Sequence, residues 1–184
     1  MKKLLGILVL GLFLITPSWA DDIRDFEIEG MSIGDSLLDY FNESEIEFPK
    51  TGYKDKTYKA VEIQSSQYDV IQILVKSDDK KYIIHSIDGL IEFENNIKGC
   101  VKKKNEIVGE MLEVFKSLNK VAEDNWPMAS GHGKLHLVRF KFESGDFAEV
   151  TCYEYNDSWD AQDHLRIGIT RIEVENWIID KAFK

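Results

Sequence analysis

The sequence has few of the residues that cross-link a chain or bind metal. Its 184 residues include two cysteines, three prolines and four histidines. Two cysteines allow at most one internal disulfide, so a multiply bridged scaffold is excluded. Positive charge is also scarce, with 23 Lys and Arg against 33 Asp and Glu. A chain with a net charge of −10 is poorly suited to nucleic acid or anionic lipid, and we expect neither as a partner.

Long apolar runs are missing after the first twenty residues. Lys2 and Lys3 precede an apolar run over residues 4–15, and Ser18 and Ala20 precede the expected cleavage point. This pattern is typical of a signal peptide. We expect residues 1–20 to be removed, which changes the net charge from −10 to −12, and residues 21–184 to form one exported domain, periplasmic or secreted. No cysteine stands directly after the cleavage point, so a bacterial lipoprotein anchor is not expected. No membrane span is expected in the mature chain.

Residues 97–122 have the strongest periodicity in the chain. Apolar residues recur at steps of three and four, with Lys104 in one gap and charged residues on the opposite side. The spacing predicts one helix of about seven turns with an apolar face packed on a sheet. A second, short helix is predicted from Ser32 to about Asn42, because Ser32 and Asp35 form a capping-box-like start.

Alternating apolar residues predict six strands, which form two antiparallel meanders. Asp88-Gly89 is interpreted as the end of the third strand, and the tail around Val174–Ile178 as a short helix. The predicted fold is therefore α+β, with an antiparallel sheet of about six strands on one long helix. The predicted strands are 57–65, 68–76, 80–87, 134–142, 147–155 and 164–173.

A pseudo-repeat is suggested by the two predicted helices. Ile33, Leu37 and Phe41 match Ile107, Met111 and Phe115 at a constant offset of 74 residues. The same offset brings the first meander close to the second, which suggests a duplicated helix-plus-three-strand unit at about 30–93 and 97–172. The match is short, and coincidence between two amphipathic helices remains the alternative.

The two cysteines are predicted to form a disulfide. Cys100 lies on the apolar stripe of the long helix, and Cys152 shares one strand face with Ala148 and Val150. If that face packs under the helix, the thiols meet, as expected in an oxidising compartment. Two buried free thiols are the alternative.

Several stretches resemble a group of short exported proteins of marine alphaproteobacteria, a resemblance that implies no mechanism. The overall plan is also similar, at the level of fold alone, to the β-lactamase-inhibitor-protein fold and to the small outer-membrane-assembly lipoprotein domain. The residues that resemble the first group are Asp22–Phe26, Glu29–Ser36, Gly99-Cys100, Ser144–Asp146 and His164–Ile167.

Aromatic side chains suggest a binding surface. Tyr153 and Tyr155 lie on the strand face opposite Cys152, and Trp126 and Trp159 lie in nearby loops. Exposed aromatics among polar residues are common anchors of protein-binding surfaces. We therefore expect a non-catalytic binding or accessory module with a protein partner in the cell envelope or a ligand. The alternative arrangement is that the tail, with Trp177 and Phe183, covers these tyrosines.

No catalytic residues, metal or cofactor are predicted. His132 and His136 are four residues apart but straddle a glycine-rich loop and a strand, without a neighbouring glutamate. The acidic segment Asp157–Asp163 lacks the spacing and the glycine of a calcium loop. The alternative function is a small periplasmic hydrolase or metal-dependent enzyme that uses these histidines or this acidic loop.

Overall fold

A single antiparallel sheet organises the residues that the computed structural model describes, which are 22–115, 118–128, 131–156 and 161–184, without the side chain of Asp124. The regular elements are β1 (Tyr58–Ile63), β2 (Val70–Lys76), β3 (Ile84–Glu92), α1 (Ile97–Val114), β4 (Asn119–Pro127), β5 (Gly133–Lys141), β6 (Phe147–Tyr155), β7 (His164–Thr170) and α2 (Ile172–Asp180). The seven strands pair in the order β1-β2-β3-β7-β6-β5-β4, always antiparallel. The predicted α+β class is confirmed, with seven strands instead of about six.

The two meanders meet through their last strands. β3 pairs with β7, and Ile87 lies opposite Ile169 at the centre of the sheet. The offset of 74 residues maps β1, β2 and β3 near β5, β6 and β7, while β4 has no counterpart. A duplication remains a prediction, because pairing order alone does not show common origin.

The long helix is shorter than its periodicity predicts. Cys100, Lys104, Ile107, Val108 and Met111 are buried, which confirms the stripe, but the helix ends at Val114. The prediction of one helix to residue 122 is wrong, because Asn119–Pro127 is an edge strand that pairs with β5. The helical spacing that continues at Val121 is therefore overridden by backbone hydrogen bonding in the sheet.

Two other local predictions are wrong. The helix expected from Ser32 is reduced to a 3₁₀ turn at Leu37–Asp39, capped by the Ser36 side chain. Asp88-Gly89 does not end the third strand but lies inside β3. Gly89 is required there because a Cβ at this position would come within 2.4 Å of the Tyr68 ring.

The two helices pack on opposite faces of the sheet. α1 lies over β6 and β7, where Val150, Cys152, Leu165 and Ile169 are buried in the main core. α2 packs against β1 and β2 on the other face, in a smaller cluster formed by Tyr58, Ala60, Leu74, Val174, Trp177 and Ala182. Neither helix in the described ranges is both long and apolar enough to cross a membrane.

Candidate functional site

The disulfide predicted between Cys100 and Cys152 is present and fixes α1 to the sheet. The two Cα atoms are 6.0 Å apart, and both residues are fully buried. Cys152 therefore faces α1, which places Tyr153 and Tyr155, its alternating neighbours, on the opposite face. We call this opposite face, whose centre is formed by β5, β6 and β7, the second face.

The C-terminal tail covers part of the second face, but not the part that contains Tyr153 and Tyr155. Trp177 packs against Tyr58 and Tyr53, with ring centroids 5.0 Å apart in each pair. Phe183 packs against Tyr53 at 5.4 Å. The C-terminal segment thus lies at the β1–β2 side and leaves Tyr153 and Tyr155 half-buried rather than enclosed.

One row of paired residues across four strands contains two of the predicted binding residues, Trp126 and Tyr153, together with His164. In the strand register, Trp126 pairs with Leu135, Leu135 with Tyr153, and Tyr153 with His164. Directly paired residues of neighbouring strands point to the same face. Trp126, although assigned to a loop by its sequence, lies in β4 and is 52% exposed.

Three rings in this region stack on one another. The Tyr153 and His164 centroids are 4.5 Å apart with nearly parallel planes, and Tyr155 lies 6.4 Å from Tyr153 and 5.8 Å from His164. Burial, the largest influence, lowers the pKa of His164 and thereby favours the neutral ring. Its Nε2 is buried and has no hydrogen-bond partner among the described residues.

Arg166 is the cation of this region, two residues along β7 from His164. Its guanidinium carbon lies 5.5 Å from the centroid of the Tyr153 ring. Its Nη2 donates to Gln72 at 3.4 Å, its Nη1 lies 3.9 Å from Asp88 Oδ2, and its buried Nε has no partner in the described part of the chain. Burial opposes the charge, but nearby groups, including Asp88, raise the pKa of Arg166, which remains a cation.

Asp88 supplies the nearest negative charge to Arg166. Its side chain is 14% exposed, and Ser86 donates a long hydrogen bond of 3.4 Å to it. Burial, with a smaller contribution from Glu149, raises the pKa of Asp88 to about 6, against the lowering effect of Arg166 and Ser86. Gly168 allows this placement, because a Cβ there would come within 1.9 Å of Asp88 Oδ1.

Arg139 lies on the same face, one row nearer to α2, and is fully engaged. Its Nε donates to Glu149 at 2.7 Å and its Nη1 donates to Glu175 of α2 at 2.5 Å. The guanidinium carbon also lies 3.7 Å from the Phe147 ring centroid. These short contacts fix α2 to the sheet and leave Arg139 little capacity for a ligand.

The structure brings together three of the four predicted binding residues. Tyr153, Tyr155 and Trp126 share the second face, and Trp159 lies outside the described residues. The polar residues Arg166 and Asp88 were not predicted as part of a site. The missed signal was alternation, since the polar residues His164 and Arg166 alternate with the apolar residues Leu165 and Ile167. Asp88 was missed because it was interpreted as the end of the third strand.

The histidines do not converge on a reaction centre. His136 lies on the α1 face, with its Nε2 3.0 Å from Glu154, whereas His164 lies on the second face. Asp163 is buried and accepts a hydrogen bond from the Tyr155 backbone at 3.0 Å, which gives it a structural role. Within the described ranges, no three His, Cys, Asp or Glu side chains are close enough to hold a metal ion.

A separate depression lies near the turn that joins β5 to β6. Its volume is about 580 Å³, and its polar lining includes Asp22, Arg24, Arg171 and Glu173. None of the described histidines and none of the predicted binding residues line it. The depression is thus distinct from the aromatic region.

Comparisons with known proteins identify no relative. No protein-family model matches the chain, and no significant match is found among curated proteins or solved structures. The predicted resemblances therefore remain predictions.

Proposed function

We propose that this chain is an exported, non-catalytic binding module that uses the exposed part of its second face. The observation that supports this most directly is the row of Trp126, Leu135, Tyr153 and His164 across four strands. Neither α1 nor the tail packs over this row, and Trp126 remains half exposed. A large exposed aromatic beside half-buried rings is typical of a recognition surface.

The polar neighbours of the row favour binding over catalysis. Arg166 and Asp88 form a loose pair beside the rings, with 3.9 Å between their nearest charged atoms. A cation next to aromatic rings can orient a bound group by charge and by hydrogen bonding. No nucleophile with an adjacent general base accompanies them among the described residues, so recognition is the function that this arrangement supports best.

Export is part of the proposal and is supported by two features. Residues 1–20 have the composition of a signal peptide. The Cys100–Cys152 disulfide is typical of an oxidising compartment such as the periplasm. A partner in the cell envelope or a ligand in that space is consistent with both.

Site-specific photo-crosslinking in the exporting cell tests this function. A photoreactive phenylalanine analogue replaces Trp126 in one variant and Leu112 in the control, since Leu112 is 38% exposed but lies on α1. We expect a defined adduct from position 126 that is absent from position 112. The adduct should weaken when Tyr155→Ala is added. Identical adduct patterns at both positions would refute the second face as the binding surface.

A further inference from the structure

The guanidinium of Arg166 is poorly satisfied by the protein itself. Its Nη2 donates to Gln72 at 3.4 Å, its Nη1 lies 3.9 Å from Asp88, and its Nε has no acceptor in the described structure. Charged hydrogen bonds between a guanidinium and a carboxylate are normally about 2.7 to 2.9 Å long. A largely buried cation with only long contacts is costly unless another acceptor completes its shell.

The guanidinium of Arg139, on the same face, is hydrogen-bonded to carboxylates and provides the comparison for Arg166. It has two carboxylate partners at 2.7 and 2.5 Å and stacks on Phe147. Both arginines are partly exposed, with 19% of the Arg139 side chain and 29% of the Arg166 side chain accessible. Because the Nε of Arg166 is buried, this accessible part belongs to the remainder of the side chain, which includes the terminal nitrogens.

The apolar side chain of Leu137 lies two strands away from Arg166 on the same face of the sheet. In the strand register Leu137 pairs with Thr151, and Thr151 pairs with Arg166. Leu137 and Arg166 are thus separated by one strand, about 10 Å apart at the backbone. The intervening Thr151 is small and fully buried, while Leu135 and Tyr153 lie in the neighbouring row. Because Thr151 is already covered by its neighbours, an apolar group with its charged end at Arg166 would contact the partly buried Leu137 instead.

We infer that the second face binds a small organic carboxylate, with the carboxylate on the terminal nitrogens of Arg166 and an aromatic or apolar body that extends toward Leu137. This inference rests on the proposed function and specifies its ligand class. The protein has a net charge of −10, so bulk attraction does not favour an anion and affinity must come from this local contact. The carboxylate replaces the long contacts to Asp88 and Gln72.

Calorimetric titration of the full mature chain with three probes tests the inference. The probes are 3-phenylpropanoate, its neutral amide, and acetate, which has the charge without the ring. We expect 3-phenylpropanoate to bind at least about tenfold more tightly than either other probe, which corresponds to one charged hydrogen-bonded contact. Arg166→Gln should remove the preference for 3-phenylpropanoate over its neutral amide. Arg171→Gln is the matched control, because Arg171 is 32% exposed and lines the separate depression.

The possible outcomes separate this inference from the proposed function. Equal binding of the acid and the amide would overturn the carboxylate claim while still supporting an aromatic binding face. Binding of acetate as tight as that of 3-phenylpropanoate would overturn the apolar contact. No binding of any probe would overturn the inference, and the crosslinking result would then decide the proposed function alone.

If Arg166→Gln does not fold, Arg166→Lys should also bind more weakly, because lysine cannot form a two-point contact. Unchanged affinity in Arg166→Lys would contradict the assigned geometry.

Discussion

The two faces of the sheet differ in how completely their side chains are satisfied. The face beneath α1 is apolar, cross-linked through Cys100 and Cys152, and nearly closed to solvent. The second face is covered by α2 at one side, and around β6 and β7 it holds stacked rings and a loosely paired arginine. This difference separates residues that stabilise the fold from residues that remain available to a ligand.

The same distinction applies to the two arginines of the second face. Arg139 forms short bonds to two carboxylates, while Arg166 has no contact shorter than 3.4 Å to a side-chain acceptor among the described residues. Both are partly buried cations on neighbouring rows of one sheet. Pairing distance, rather than charge or burial, is therefore what distinguishes a structural arginine from a candidate binding residue.

The largest expected effect lies on the face beneath α1. The disulfide closes a loop with a sequence separation of 52 residues. Replacing both cysteines by alanine should lower the free energy of unfolding by about 4 kcal/mol, because the unfolded chain regains loop entropy. Urea denaturation of the variant and of the oxidised parent measures this loss. A loss below about 1 kcal/mol would contradict a stabilising role for the bridge.

Arg139 should matter more for stability than Arg166. Arg139→Gln leaves Glu149 and Glu175 without their short partner, so the free energy of unfolding should fall by about 3 kcal/mol. Arg166→Gln should cost less than about 1 kcal/mol, because it removes only long contacts. Both values come from urea denaturation at pH 7. Equal losses in the two variants would remove the distinction drawn between them.

Asp88 should make stability depend on pH. Its pKa is raised from 3.8 to about 6 in the folded protein, chiefly by burial. Between pH 3.8 and 6 the folded protein therefore holds the Asp88 proton more tightly than the unfolded chain does. Stability from this group is therefore full below pH 3.8 and is lost as pH rises through 6. Asp88→Asn should remove this dependence and stabilise the protein at pH 7 by roughly 2 to 3 kcal/mol.

Urea denaturation at pH 4, 5.5 and 7 compares this variant with the parent. Tyr53, Arg166, Tyr153, Glu149 and Ser86 surround the carboxylate, so the difference between the two curves isolates Asp88 from their own titration. Parallel curves for Asp88→Asn and the parent would refute the raised pKa.

Trp126 should have the smallest effect on stability. Trp126→Ala should change the free energy of unfolding by less than about 0.5 kcal/mol, because the side chain is 52% exposed. The same substitution should weaken binding at the second face, since the ring lies at the end of the cross-strand row. Denaturation combined with probe titration checks both results. A stability loss above about 2 kcal/mol would instead assign Trp126 to the core.

Sequence patterns predicted the parts of the fold that depend on periodicity. Alternation located β6 at residues 147–155, and the helical stripe with its strand partner predicted the disulfide. Edge pairing of β4 could not be predicted, because Val121 continues the helical spacing by chance, although it pairs with Arg139 of β5. The local sequence pattern contains no information about β5, whose pairing makes this segment a strand and not a helix.

The candidate site was only half visible in the sequence for a related reason. Tyr153, Tyr155 and Trp126 could be placed on one surface from ring chemistry and alternation. The pair formed by Arg166 and Asp88 depends on β3 lying beside β7, a contact between residues far apart in the chain. Asp88-Gly89 also has the composition of a turn, and only the Tyr68 ring packed on Gly89 explains its place inside a strand.

Side-chain NMR of the two arginines tests the central claim most directly. The Nε–Hε signals of Arg139 and Arg166 are recorded in the full mature chain during titration with 3-phenylpropanoate. The Arg166 signal should move in a saturable way while the Arg139 signal, held by Glu149, should stay in place. A stationary Arg166 signal, or equal shifts of both signals, would contradict the assignment of Arg166 to binding and Arg139 to structure.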